Sequence, residues 1–515
     1  MPRRPLLPVL AALVLAGCDK VESDFVLRLQ PRTPVDERPF EGGPSVKLVL
    51  EDAAGSEILL LGSGQDGLEA AHLPPLSDAW LGLLLQDPPS TAPSYDPTAL
   101  KAWGETGPFD LAKDPSVDAS VLVADYAAIG DLDVLPDGTG AAGAALALTP
   151  GGDAWIFGGA NALVPSSTLA LSRQLRLEDL NGGDWRFRDA GTMPSVLGAS
   201  ARFEPTATLV DADAGPAILV VGGRPNGASM DGNLATAFLM DTATDDVVWS
   251  GPTPVGRSGH LALRLDNGRV LTVGGLEGEE TGTEPAQASF EVFDPTWLAF
   301  DAGDQPLDEP ARGLAIASLG PDGALVCGGS APPADDTTVR MPSAACSRIS
   351  VLGNVQDAAD LPVATADLAM ASLGDGRVLA VGGTVDPLDT EAVAATDAAW
   401  VYDVVSDTWT ATGPLNHARA RARALPTPDG RVVVIGGTET VGPGWYDNGA
   451  ATQCVELYDP DAGALSEVEC TGTGAGAWPV VASAPRGLAF VVSGWNADGT
   501  TGGGYGVVGL GPSGL

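Results

Sequence analysis

The stretch GDGRVLAVGGTVD, residues 374 to 386, is a turn signal followed by five mostly apolar residues and a pair of glycines. Nearly the same words return as PDGRVVVIGGTET at 428 to 440 and as DNGRVLTVGGLEG at 266 to 278. Asp-Gly and Asn-Gly tolerate positive φ and close tight hairpins, so each apolar run reads as a strand leaving such a turn. The run does not alternate with polar residues, which buries both faces of the strand and implies sheets stacked face to face. The glycine pair ends the strand where the backbone bends or approaches a neighbour too closely for a Cβ.

Working outward, the pair recurs at Gly158 and Gly159, Gly222 and Gly223, Gly274 and Gly275, Gly328 and Gly329, Gly382 and Gly383, and Gly436 and Gly437. A weaker copy places Ser493 and Gly494 in the same setting. Downstream, a second strand-like run ends in aspartate at Asp241, Asp294, Asp403 and Asp459. Trp185, Trp249 and Trp409 each lie 27 residues beyond the first glycine of their pair, which predicts a third fixed position in the repeat.

Together these features resemble the kelch repeat, and the resemblance covers about residues 128 to 515, at the roughly 50-residue kelch period. It implies a galactose oxidase-like β-propeller in which each repeat forms one four-stranded blade. Seven copies imply seven blades. The last repeat is short of strands, and the segment 126 to 136 just before the first blade is placed to complete it and so protect an open edge. The expected fold is therefore all-β: a seven-bladed kelch-like propeller over 126–515, preceded by a small β-sandwich-like module over 24–125 whose short runs are separated by Pro, Gly and Asp.

Composition agrees with many short strands and turns: 67 Gly and 42 Pro among 515 residues, with aromatics at only 5%. The net charge of −40 repels phosphate backbones and excludes nucleic acid as an expected partner. At the amino end, two arginines precede an apolar run from Pro5 to Gly17, too short to span a bilayer but of the length of a secretory signal. Leu15, Ala16, Gly17 and Cys18 resemble the lipobox of bacterial lipoproteins, which implies a signal peptide over 1–17, lipidation of Cys18 and a short tether over 18–23. The expected location is the bacterial cell envelope, outside the cytoplasm and held to a membrane by the lipid. Asp19 leaves the choice between inner and outer membrane open.

An exported chain meets an oxidising compartment, and Cys327, Cys346, Cys454 and Cys470 allow three pairings. Pairing within repeats favours Cys327 with Cys346 and Cys454 with Cys470; four buried thiols are the alternative. A copper radical site like that of galactose oxidase needs two tyrosines, a crosslinked cysteine and two histidines. Only His72, His260 and His417 exist, no Tyr-His dipeptide occurs and the cysteines are expected in disulfides, so neither copper nor any other cofactor or metal is expected.

Arg257 and Arg419 both lie 17 residues before their glycine pairs, which predicts a shared structural task at the blade entry, such as pairing with an aspartate of the adjoining blade. Arg419, Arg421 and Arg423 alternate with alanines, so on a strand they share one face and could form an anion site near a mouth of the propeller. Trp445 and Tyr446, in a long loop after a glycine pair, are candidate contact residues. With no catalytic set in view, the expectation is a non-enzymatic binding scaffold for a protein or glycan ligand; the alternative is a carbohydrate-active enzyme using a carboxylate pair in the propeller mouth. Substituting Cys18→Ser is expected to abolish fatty-acid labelling in the native host and to release the protein from the membrane fraction; labelling that persists refutes the lipobox reading.

Overall fold

The computed structural model describes most of the chain between residues 44 and 511. Residues 1–43 and 512–515, the loops 64–78, 88–99, 110–121, 135–141, 161–172, 226–231, 277–287, 332–338, 443–448, 471–478 and 493–503, and several shorter breaks lie outside the description. Cys18, Trp445 and Tyr446 fall in these segments.

The described residues are almost wholly antiparallel sheet. Sheet 1 begins with Ala144–Leu148, sheet 2 with Thr206–Ala212, sheet 3 with Leu261–Arg264, sheet 4 with Arg312–Ser318, sheet 5 with Ala369–Ser372, sheet 6 with Arg423–Pro426 and sheet 7 with Val480–Ser483. In sheet 5 the order is Ala369–Ser372, Arg377–Val381, Ala399–Asp403, Thr408–Ala411, each strand paired to the next, and the other sheets repeat this meander. First strands touch one another from sheet 1 to sheet 6 in turn, and the first strand of sheet 7 touches that of sheet 1, so the sheets stand radially in a propeller-like ring. Sheet 7 takes its fourth strand, Ile129–Val134, from the segment before sheet 1, paired to Gly504–Gly509.

The repeated apolar runs are the second strands, and they are buried on both faces as their pattern requires; Val432–Ile435 is buried at every position. Apolar layers then alternate around the ring. Val381, Leu379 and Ala399 of sheet 5 meet Val432, Val434 and Tyr458 of sheet 6, and Val433, Ile435 and Val455 of sheet 6 meet Ala489, Val491 and Val508 of sheet 7. Cys327–Cys346 and Cys454–Cys470 form the two disulfides, each within one sheet. Cys327 and Cys346 face each other across neighbouring strands of sheet 4.

The aspartates that end the third strands build the next turn. The Oδ1 of Asp403 accepts the N–H groups of Val405 and Ser406, and that of Asp241 those of Ala243 and Thr244. These backbone donors hold both carboxyls below the usual aspartate range.

The tryptophan position departs from expectation. Trp409 lies opposite Tyr402, stacks on it at 5.0 Å and donates from Nε1 to Ala359 O of sheet 4, the preceding sheet. Trp249 packs on Phe293 and Phe300 of sheet 3, the following sheet. It lies opposite Leu239, one place off the position equivalent to Tyr402, and a one-residue slip turns a side chain to the other face. Equal spacing hid a shorter loop before the aspartate compensated by a longer, bulged hairpin after it. Trp185 begins the last strand of sheet 1.

Residues 45–125 form one five-stranded sheet among the described residues, rather than the two layers of a sandwich. Its Val49, Leu84, Trp103 and Ala124 share a single core with Leu146 and Ile156 of sheet 1 and Phe490 and Val507 of sheet 7. The propeller supplies the missing layer.

All six glycine pairs have positive φ at both members, as at Gly382 and Gly383 (65° and 99°). A Cβ on Gly382 would run into the carbonyl oxygen of Arg419, whereas Gly374, also at positive φ, has open space. Gly374→Ala is therefore expected to cost about 1 kcal/mol of left-handed strain, and Gly382→Ala several times more by urea denaturation. Equal losses would refute the close-approach argument.

Candidate functional site

The carbonyl that blocks a side chain at Gly382 belongs to a joint repeated around the ring. Gly383 N–H donates to Arg419 O at 2.9 Å, and the Arg419 guanidinium reaches into its own sheet, donating to Gly436 O at 3.1 Å, Cys454 O at 2.7 Å and the Glu456 carboxylate at 2.6 Å. Arg257 repeats this: its carbonyl accepts Gly223 N–H, and its guanidinium donates to Gly274 O, Ser289 O and Glu291. Arg202 repeats it with Thr236 in place of the glutamate, and burial without a carboxylate lowers its pKa to about 10. The shared task of Arg257 and Arg419 thus exists, but the partner is a glutamate of the same sheet, not an aspartate of the adjoining one.

Two residues after each such position the chain turns left-handed. Gly143, Glu204, Gly259, Gly313, Asp367 and Arg421 have φ of 63°, 54°, 59°, 69°, 55° and 59°. Their backbones link sheet to sheet: Glu204 N–H donates to Gly143 O, Gly259 to Glu204, Asp367 to Gly313 and Arg421 to Asp367. All six line a central channel of about 370 Å³, into which the first strands of all seven sheets face. Three positions are glycine, the residue that this conformation favours. The other three carry charge, at a strain on the order of 1–3 kcal/mol each.

The charges are arranged in pairs. Arg421 Nε donates to Asp367 Oδ2 at 3.2 Å with both side chains buried, and Arg224 lies 3.8 Å from the Glu204 carboxylate. Arg423 opens the first strand of sheet 6 and reaches solvent within the channel. Enclosure by protein there desolvates its guanidinium and lowers its pKa, against the opposing effect of Asp367.

His260 also lines the channel, 4% exposed, with Nε2 2.9 Å from Thr206 Oγ1. Desolvation, helped by the Arg257 charge, pushes its pKa well below the ordinary range and keeps the ring neutral.

The three arginines singled out by sequence do not share a face. Left-handed backbone at Arg421 breaks the alternation, so Arg419 turns into the sheet 5–6 joint while Arg421 and Arg423 reach the channel. Sequence reasoning missed Glu204 and Asp367. A signal existed: the position 15 residues before the glycine pair is glycine at 143, 259 and 313, but Asp367 and Arg421 in two repeats. Glu204 escapes that register because its hairpin is three residues longer.

His417 lies away from the channel, beside Glu467 and the Cys454–Cys470 disulfide, so His260 and His417 do not converge. All four described cysteines are in disulfides. These donors do not fit a copper radical centre.

No family model matches the chain, and no curated protein matches it. Among solved structures, a fungal alcohol oxidase of the AA5 family in complex with copper aligns with a TM-score of 0.52 at 15% identity, over 75% of this chain and 76% of that one. The structure of YjhT aligns with a TM-score of 0.45 at 14% identity, over 66% of this chain and 99% of that one. The likeness is one of fold, a kelch or galactose oxidase-like β-propeller. It also corrects the expectation of a non-enzymatic protein, since that expectation treated this frame as a scaffold, and the same frame in the alcohol oxidase carries an enzyme.

Because the unfolded chain binds a proton near pH 6.5 that buried His260 refuses, folding stability is complete above that pH and falls as pH drops below it, by about 1.4 kcal/mol per unit until the folded-state pKa is reached. His260→Gln is expected to remove this part of the slope in denaturation curves between about pH 7 and 5. Parallel slopes in the two proteins refute it.

Proposed function

We propose that the channel mouth is the active site of a carbohydrate-active hydrolase, carried on a seven-bladed kelch-type propeller that is exported and anchored through Cys18. One observation carries the reading: at the six described ring positions the chain keeps glycine three times and elsewhere accepts backbone strain to present Glu204, Asp367 and Arg421 to the same channel. Strain held in this way clusters at functional sites. The volume lies within the range of about 300–1,000 Å³ usual for small-molecule sites.

Asp367, held by Arg421, is the carboxylate that takes a proton from water. Glu204, on the sheet 2 side, is the acid that gives its proton to the departing sugar oxygen, so that water adds across the broken glycosidic bond. Arg423 anchors an acidic group of the substrate, which makes acidic saccharides the preferred class. Aromatic residues are absent from the described lining, so selection rests on polar contacts rather than on stacking.

The test is release of reducing ends from a panel of acidic oligosaccharides. Glu204→Gln and Asp367→Asn are each expected to lower kcat by about 10²–10⁴, and Arg423→Ala to raise KM with little change in kcat. Undiminished hydrolysis by Glu204→Gln, or none by the parent protein across the panel, sinks the proposal.

A further inference from the structure

The two disulfides differ in their surroundings. Cys327 and Cys346 are buried in the apolar core of sheet 4 beside Leu325, Leu361 and Met370. Cys454–Cys470 clips the open end of a hairpin in sheet 6, Cys454 just before Val455–Asp459 and Cys470 just after Ala464–Glu469. There Cys470 Sγ lies 3.7 Å from His417 Nε2, which lies 2.6 Å from Glu467 Oε2. Cys454 is buried while Cys470, His417 and Glu467 keep contact with solvent, and the four ligand atoms all lie within 4.8 Å of one another.

We infer that this disulfide masks a redox-gated zinc site with a Cys₂-His-Glu ligand set. Four donors at zinc bond lengths of about 2.0–2.3 Å sit some 3.3–3.8 Å apart in a tetrahedron, and the cluster is already close to that spacing except for the bonded sulfurs. An external dithiol reduces the disulfide: its two sulfurs form their own bond, the Cys454–Cys470 bond breaks, and the two protons and two electrons pass to the cysteines. Zinc binding then displaces both thiol protons to solvent. The neighbourhood holds the donors in place from several directions. His417 N–H is bonded to Glu456, Cys454 O accepts from Arg419, and Glu467 pairs with Glu456 across the strand register. Of the two disulfides, only this one has a histidine and a carboxylate within ligand distance among the described residues.

The experiment is a titration of the full-length protein with cobalt(II), as a spectroscopic stand-in for zinc, before and after dithiol treatment, with near-ultraviolet circular dichroism to follow folding. The reduced protein is expected to take up one equivalent with a thiolate-to-metal charge-transfer band that zinc abolishes. The oxidised protein shows no such band. His417→Ala and Glu467→Ala, which leave both cysteines in place, are each expected to weaken uptake by roughly tenfold or more, while Cys327→Ala/Cys346→Ala retains it. A reduced protein without the band overturns the inference, as does one that unfolds before metal binds, or one whose binding is unchanged in His417→Ala and Glu467→Ala.

Discussion

A guanidinium without access to water is the interaction on which the ring rests. Arg257 and Arg419 are wholly buried, and each gathers the carbonyl of its own sheet's first glycine, a carbonyl of the third strand and a glutamate. The same residue's carbonyl is held by the second glycine of the sheet before. Removing one member of such a buried pair costs on the order of 3–5 kcal/mol because the remaining charge has nowhere to go. The glycines are therefore half of an inter-sheet joint whose other half is an arginine some 17 residues upstream of the next pair, and neither half is useful alone. Where Thr365 replaces the arginine, between sheets 4 and 5, the backbone bond to Gly329 persists and the guanidinium is absent.

The legible part of the molecule was the part written as a period. Glycine pairs, hairpin turns and doubly buried second strands follow from local chemistry repeated at near-constant intervals, and pairing cysteines by repeat led to the observed disulfides. What escaped depends on register across loops of unequal length. Trp249 and Trp409 share a spacing and not a face, because the excess of one loop cancels the deficit of another. The alternation of Arg419, Arg421 and Arg423 reads as strand until one left-handed residue redirects it. Glu204 and Asp367 are ordinary acidic residues among 67, and only the ring of backbone bonds shows them as occupants of positions that other repeats give to glycine.

That substitution also separates the two tasks of the entry segment. Its first residue secures the joint, buried and neutralised within one sheet. Its third residue sets the chemistry of the mouth, where variation leaves the frame untouched provided that the backbone can turn left-handed. Excluding a copper centre on ligand grounds was sound for the donors the structure describes, but extending that to catalysis in general was not, because the mouth's carboxylates lie at positions invisible to motif reading.

Sheet 7 is assembled from both sides of the ring, with Ile129–Val134 lying against Gly504–Gly509. During synthesis the earlier of these strands emerges some 370 residues before its partner, so it must wait, unpaired and apolar-edged, through the making of six sheets. Closure is thus a late, single event that depends on the last strand to leave the ribosome. Chains shortened by even a dozen residues at that end would display two raw edges at once, and quality control would meet them as open ribbons rather than as slightly damaged propellers.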